Sequence, residues 1–432
     1  LIKNKMNAEI SESIQHAISP GECKDLYYPG KENSELQCFP TVVNNRFYAS
    51  LPALAGGATN TLIFNPDQGL SDMVLTAELP APVSGGVDYS GWVMPKGWLQ
   101  AMIFQVGLRI GGSSLYYFTG DQMLVDTLTD CEDEGKKQAV FSLAGGEILT
   151  APQYASQDQR TASIYVKLPY NTISALQKTL PLPSDLLTQP VQVLIQFRQF
   201  ADVAQWVGVG APDYTKLPQA FASAQVNYKQ TTVQNSEHLL ARRTDMNVRA
   251  LAYPLRYFSQ TTFRTQFPAP AGGAQASINL TGFRQGSVKY INLWFRRVGA
   301  QPWDWIAPTA VQVLINGLVY YDSRQSNSQM WNLCDRKTTA QVDNTIVGGQ
   351  GTGAGTLTPS TTPWTVIPFG QDSEPAAYCN EVVLGAPISN SVVNLYVVLP
   401  SSVPASTPVE LSASYSYAAS LMFSKGTAEY VF

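Results

Sequence analysis

From about residue 38 onward, apolar and polar residues alternate with a period of two, in short runs broken by turn-forming residues. That period puts successive side chains on opposite faces of a β-strand, one dry and one wet. Val191-Gln192-Val193-Leu194-Ile195-Gln196-Phe197 places Val, Val, Ile and Phe on one face. Val311-Gln312-Val313-Leu314-Ile315 repeats the scheme. Asn316-Gly317 directly after it is a strong hairpin signal, because both residues tolerate the positive φ of a two-residue turn. Further strands are expected at 73–79, 100–110, 163–168, 276–283, 288–295, 392–399 and 409–417. Two segments depart from the pattern. Met6, Ile10, Ile14, Ala17 and Ile18 fall at helical spacing until Pro20-Gly21 stops them, and residues 233–245 are the most helix-like internal stretch.

These breaks divide the chain into an N-terminal arm (1–37), a β domain (38–232), a linker helix (233–245) and a second β domain (246–432). The stripe of Ile10, Ile14 and Ile18 is one helix wide, so it must dock on its own domain, a neighbouring subunit or a membrane surface. Internal repetition makes the two β domains relatives of each other. Ile110-Gly111-Gly112 followed by Tyr116-Tyr117 resembles Ile315-Asn316-Gly317 followed by Tyr320-Tyr321. Gln122-Met123 is answered by Gln329-Met330, and Pro169-Tyr170 by Pro368-Phe369. The offsets are 205 (112 to 317), 207 (122 to 329) and 199 (169 to 368), in the same order along the chain. Two similar all-β domains with many short strands mean sandwiches or barrels. Residues 130–160, 199–217 and 336–362 read as long, poorly periodic loops.

Composition sharpens this picture. Charged residues make up 14% of the chain, against about 25% in an average soluble domain. The 17 Phe, 8 Trp and 21 Tyr supply ample apolar surface, which argues against disorder. Low charge leaves much neutral surface, as a chain needs if copies of itself cover its flanks. A net charge of −4 gives no basic field to steer the chain toward nucleic acid. No run approaches the roughly 18 apolar residues of a membrane span. The start also lacks a signal-peptide core, so an intracellular, soluble origin is expected.

Candidate chemistry is sparse. With two histidines, His16 and His238, a multi-histidine metal site cannot be built. The five cysteines (23, 38, 131, 334 and 379) are scattered without Cys-x-x-Cys spacing. Gly349 to Ala354 matches Gly-x-Gly-x-x-Ala, but the Thr/Pro-rich run after it cannot form the helix a dinucleotide loop requires. Asp130, Glu132, Asp133 and Glu134 lack the alternating ligands of a calcium loop. His238 sits beside Glu237 with no nucleophile marked near it. Asn279-Leu280-Thr281 is a glycosylation sequon, read here as a structural asparagine in a strand. Arg242, Arg243, Arg249 and Arg256 form a modest basic group around the linker, better suited to interdomain or intersubunit pairing than to binding a genome. No catalytic, cofactor-binding or metal residue is assigned.

A resemblance emerges from the repeat landmarks. Leu108-Arg109-Ile110-Gly111-Gly112 with Thr119-Gly120-Asp121-Gln122-Met123 resembles a segment of the major capsid proteins of large eukaryotic DNA viruses, the adenovirus-like lineage. So do Leu168-Pro169-Tyr170 with Leu180-Pro181-Leu182-Pro183, the strand and turn Val313 to Gly317, Pro375 through Asn380, and the closing Ser414 to Phe432. The matches run in order from about residue 65 to the end; residues 1–60 show none, and Glu381-Val382-Val383 departs from the family's pattern. The resemblance implies an all-β double jelly roll, two consecutive eight-stranded sandwiches behind a short N-terminal helical arm. It implies a non-enzymatic capsid protein of a double-stranded DNA virus, three copies forming a pseudo-hexagonal capsomer that tiles an icosahedral shell. Expected partners are the chain itself as homotrimer, neighbouring capsomers, minor capsid proteins and an internal membrane under the shell, with no sequence-specific nucleic acid. Expected localisation is the virion, after synthesis in host cytoplasm. The arm carrying Ile10, Ile14 and Ile18 is expected to serve assembly at the capsomer base. Two other readings remain open: a β-sandwich carbohydrate-binding or carbohydrate-active protein, and a minor capsid or spike protein of the same fold.

Overall fold

Strand pairing in the computed structural model follows the two-fold repetition of the sequence. The structure describes residues 42–65, 69–95, 97–110, 116–130, 142–145, 149, 153–166, 182, 184–233, 240, 243–244, 251–300, 302, 304–323, 364–369 and 387–431. The arm with Ile10, Ile14 and Ile18, both histidines, the five cysteines, the glycine-rich run at 348–355 and the loop 336–362 lie outside the described residues.

The first half contains β1 (Val42–Ser50), β2 (Thr59–Phe64), β3 (Gly69–Glu78), β4 (Trp92–Val93), β5 (Ile103–Arg109), β6 (Tyr116–Thr119), β7 (Thr161–Tyr165), β8 (Val191–Phe197), β9 (Gln205–Trp206) and β10 (Ser223–Val233). The second contains β11 (Leu251–Pro268), β12 (Gln275–Leu280), β13 (Val288–Arg297), β14 (Trp305–Ile306), β15 (Ala310–Ile315), β16 (Leu318–Asp322), β17 (Trp364–Pro368), β18 (Val393–Val398), β19 (Pro408–Ser424) and β20 (Thr427–Val431). The first half forms two four-stranded antiparallel sheets, β1-β10-β3-β7 and β2-β8-β5-β6, beside a two-stranded β4-β9. The second half repeats both orders: β11-β19-β13 with β17 paired to β13, and β12-β18-β15-β16. Eight strands in two four-stranded antiparallel sheets of this order make a jelly roll, and the chain has two.

Register repeats as well as order. Leu108 pairs with Tyr116 across β5 and β6, and Val313 with Tyr321 across β15 and β16, both residues shifted by 205 positions. That is the offset of the glycine landmarks. Asn316 and Gly317 adopt φ of 52° and 81°, so the expected tight turn forms with Ile315 opposite Leu318. Val191, Val193, Ile195 and Phe197 of β8 are buried, as are Val393, Leu395 and Val397 of β18, with their alternate residues half-buried. Each fully buried aliphatic side chain contributes about 1.5–3 kcal/mol. One continuous apolar cluster runs through both sandwiches.

Four segments differ from the sequence expectation. The strand expected at 100–110 starts late, because Trp98–Met102 is a short helix with all five side chains buried. Gly120–Asp130 is a helix that periodicity did not reveal. Among its described side chains Asp121, Gln122, Met123, Leu124 and Val125 are all buried, so these first turns show no wet face against which a helical stripe would stand out. The expected loop 199–217 is locally ordered as a helix (Phe200–Val203), β9 and a 3-10 turn (Tyr214–Lys216), pinned by buried Phe200, Val203 and Leu217. In the 233–245 region β10 persists to Val233, and of the residues described beyond it Leu240, Arg243 and Thr244 are helical. Among the described residues no helix is long and apolar enough to cross a membrane.

Candidate functional site

The described residues contain no cluster of three or more His, Cys, Asp or Glu able to hold a metal ion. The features the described residues do present are surfaces: the junction between the two sandwiches, and the sheet faces and edges beside it.

The junction centres on Asp121, 1% exposed in the first turn of the helix Gly120–Asp130. Gly120 lets the chain turn there: a Cβ on it would collide with the carbonyl oxygen of Ile103. Arg198, just past β8, donates from Nη2 to Asp121 Oδ1 at 3.3 Å and from Nη1 to the carbonyl of Ala101 at 2.8 Å. Arg296 near the end of β13, in the second sandwich, places Nη1 3.7 Å from Asp121 Oδ2 and Nη2 3.1 Å from Glu410 Oε1. Burial alone would push the Asp121 carboxyl up. The positive charges of Arg198, Arg296 and Arg264 outweigh it and hold the group below its ordinary value of 3.8. One carboxylate thus ties an arginine from each sandwich.

Around it lie further cross-junction contacts. Tyr116 of β6 meets Tyr430 of β20 edge-on at 4.7 Å, and the Arg284 guanidinium lies 5.7 Å from the Tyr116 ring centre. Thr188 donates from its backbone N–H (2.8 Å) and its hydroxyl (3.1 Å) to the carbonyl of Gly426. Gly426 has φ +77°, and a side chain there would strike Thr188. Strand β6 also packs beside β11.

Side-chain parity shows which face of the second sandwich meets the first. Arg296 and Glu410 share a face of β13 and β19 with Trp294, Asn292, Ser412 and Ser414, by alternation and by the pairs Arg296–Glu410, Trp294–Ser412 and Asn292–Ser414. Asn292, Ser412, Ser414 and Ser416 are at most 2% exposed. The opposite face points into the second jelly roll, where Tyr415 donates its hydroxyl to the Thr281 carbonyl at 2.9 Å and stacks on Phe283. A sheet face carrying Asn292, Ser412 and Ser414 beside Trp294, Arg296 and Glu410 is therefore buried inside the chain.

Among the described residues, the counterpart face on the first sandwich is half-buried to exposed. Its cross-strand rows run from Arg46–Lys229–Ser71 through Tyr48–Asn227–Val74–Tyr165 and Ser50–Gln225–Thr76–Ser163 to Ser223–Glu78–Thr161. Tyr48 is 74% exposed. The hydroxyls of Thr76 and Ser163 bond each other at 2.8 Å. On the second sandwich, the edge strand β16 exposes Leu318 (76%) and Val319 (51%).

The sequence candidates fare unevenly. Of the basic group, Arg242 and Arg249 lie outside the described residues, Arg243 is helical and Arg256 lies on β11. The arginines the fold brings together are Arg198, Arg264 and Arg296, which sequence reading missed because they lie far apart in the chain. Asp121 lies in the segment Thr119-Gly120-Asp121-Gln122-Met123, where nothing local marks its ion pairs. Asn279 sits exposed on β12 opposite Asn394. Asp130 ends its helix, and Glu132, Asp133 and Glu134 lie outside the described residues. Trp206, an aromatic a sugar site would need, packs one ring region over Gly91 and Gly208 and donates its Nε1–H to the Gly210 carbonyl at 3.1 Å. That ring is in structural use.

No protein-family model and no curated protein matches the sequence. Solved structures do match the fold. The capsid of the virus PBCV-1 aligns with a TM-score of 0.59 over 91% of this chain and 98% of the other, at 11% identity. The Faustovirus major capsid protein aligns at 0.51 over 98% of each chain, with 11% identity. The Sputnik virophage structure aligns at 0.52 over 96% of this chain and 92% of the other, with 10% identity. The fold shared with these structures is the double jelly roll, over nearly the full length.

Proposed function

We propose that this chain is the major capsid protein of a double-stranded DNA virus, a non-enzymatic subunit that self-assembles into pseudo-hexagonal trimeric capsomers tiling an icosahedral shell. The observation that carries the reading is the full-length double jelly roll, with both strand orders repeated in one chain. Three such chains present six similar sandwiches, the shape hexagonal tiling needs. The sparse charge of the sequence, 14%, suits flanks that other subunits cover. On this reading the chain resides in the virion and meets other copies of itself, neighbouring capsomers, minor capsid proteins and an internal membrane beneath the shell. It carries no sequence-specific contact with the genome. The arm with Ile10, Ile14 and Ile18 works at the capsomer base.

Light scattering behind size-exclusion chromatography, followed by electron microscopy of the same protein, tests the proposal. The expected result is a homotrimer that forms hexagonal arrays or shells. A stable monomer that binds glycans overturns it in favour of a carbohydrate-binding β-sandwich. A trimer present in only a few copies per particle overturns it in favour of a minor capsid or spike role.

A further inference from the structure

The β15–β16 turn carries the one Asn-Gly pair of the sequence, and the fold holds its asparagine by both ends of the side chain. Asn316 is exposed and sits in the left-handed region at φ 52°, followed by Gly317 at φ 81°. Before the turn, β15 and β18 pair in register up to Ile315 opposite Val393. Asn316 adds one further rung to that ladder. Its backbone N–H donates to the Val392 carbonyl at 2.9 Å, as a strand residue would. In a regular ladder the Val392 N–H would return a bond to the backbone carbonyl of Asn316. Here the side chain takes that place: Asn316 Oδ1 accepts from the Val392 N–H at 2.9 Å, and Nδ2 donates to the Ser391 hydroxyl at 3.3 Å.

We propose that Asn316 is a self-modification site, converted to aspartate and isoaspartate through a succinimide, and that the rung to Val392 and Ser391 keeps it closed in the folded chain. The chemistry needs only this chain and water. The Gly317 backbone nitrogen attacks the side-chain carbonyl carbon of Asn316. A new N–C bond forms, the bond from that carbon to Nδ2 breaks, and Nδ2 leaves as ammonia with the proton given up by the Gly317 nitrogen. Water then opens the ring at either carbonyl, giving aspartate or isoaspartate. Glycine favours the attack because it has no side chain to shield its nitrogen, and nothing lies within 4 Å of where a Cβ on Gly317 would stand. The fold opposes the attack twice. Ring closure requires the Gly317 nitrogen to eclipse the Asn316 Cβ, whereas a left-handed residue, with ψ near about +47°, turns that nitrogen to the opposite side. The two side-chain hydrogen bonds also hold the carboxamide against the β18 side of the turn. The products differ in consequence. Aspartate keeps an acceptor for the Val392 N–H and loses the donor to Ser391. Isoaspartate adds a carbon to the main chain inside a two-residue turn, which breaks the register of Ile315 opposite Leu318 and loosens the β16 edge.

Peptide mapping by mass spectrometry reads the conversion at Asn316 directly, on the full chain incubated at neutral pH either folded or unfolded in urea. Conversion is expected in urea, and in the folded chain it is expected to be slower by roughly tenfold or more, because the rate then follows the fraction of time the turn is open. Val392→Pro removes the N–H that Oδ1 accepts, at the position just before β18, where proline is tolerated. Circular dichroism checks that this variant folds; should it disturb β18, Ser391→Ala, which removes the partner of Nδ2, takes its place. The variant is expected to convert roughly fivefold faster than wild type when folded, the worth of one hydrogen bond, with the rate in urea unchanged. Equal rates for the folded and unfolded wild type overturn the inference, and so does an Asn316 that stays intact in urea. A folded variant that converts at the wild-type rate overturns the rung as the lock.

Discussion

Asp121 concentrates the energetics of the molecule in one side chain. Its carboxylate is buried between Arg198 and Arg296, and a buried pair that loses one member leaves a stranded charge. Asp121→Asn is therefore expected to cost about 3–5 kcal/mol in urea unfolding at neutral pH. The sign of the pH dependence follows from its lowered pKa. A carboxylate depressed by folding stabilises fully above its unfolded value of 3.8, and that contribution disappears as pH falls through the lower folded value. The stability gap between wild type and Asp121→Asn should then narrow in strong acid. A gap that stays constant below pH 3.8 would remove the ion network from the account.

Among the elements, two glycines separate backbone strain from steric collision. Gly317 turns the β15–β16 hairpin at φ +81°, and an added Cβ would meet nothing within 4 Å. Gly317→Ala should cost only the left-handed backbone penalty, about 1–2 kcal/mol. Gly120 opens the junction helix against the Ile103 carbonyl, a backbone atom of β5 that cannot swing away. Gly120→Ala should lower the melting temperature well beyond Gly317→Ala, in a side-by-side thermal scan. Equal shifts would mean that the close approach at Gly120 relaxes easily. The hairpin was legible in the sequence because Asn-Gly is a local signal. The junction helix was not, because its first turns are buried on all sides and carry no amphipathic period.

For the whole molecule the decisive quantity is how much surface each level of assembly covers. Apolar burial runs unbroken through both sandwiches, so one chain behaves as a single block. The arm lies beyond that block in sequence. Burying Ile10, Ile14 and Ile18 against a neighbour would contribute about 1.5–3 kcal/mol each. Deletion of residues 1–20 is expected to leave a folded trimer by circular dichroism and light scattering that no longer builds shells by electron microscopy. A truncated chain that assembles normally, or that cannot trimerise, would sink the role assigned to the arm.

Local patterns alone carried the β class, the repetition and most strands, because a period of two and an Asn-Gly turn act over neighbours in the chain. Val191–Phe197 and Val393–Val398 declare their buried faces in the sequence itself. The contacts that unite the two halves were invisible there, since they join residues such as Asp121 and Arg296 or Thr188 and Gly426, which approach only after both sandwiches close. Serines 412, 414 and 416 illustrate the limit: their alternation marks one face of a strand, but that the face is buried is visible only in the folded chain. Whether a polar face meets water or protein depends on what the rest of the chain places over it, and that is settled by tertiary structure.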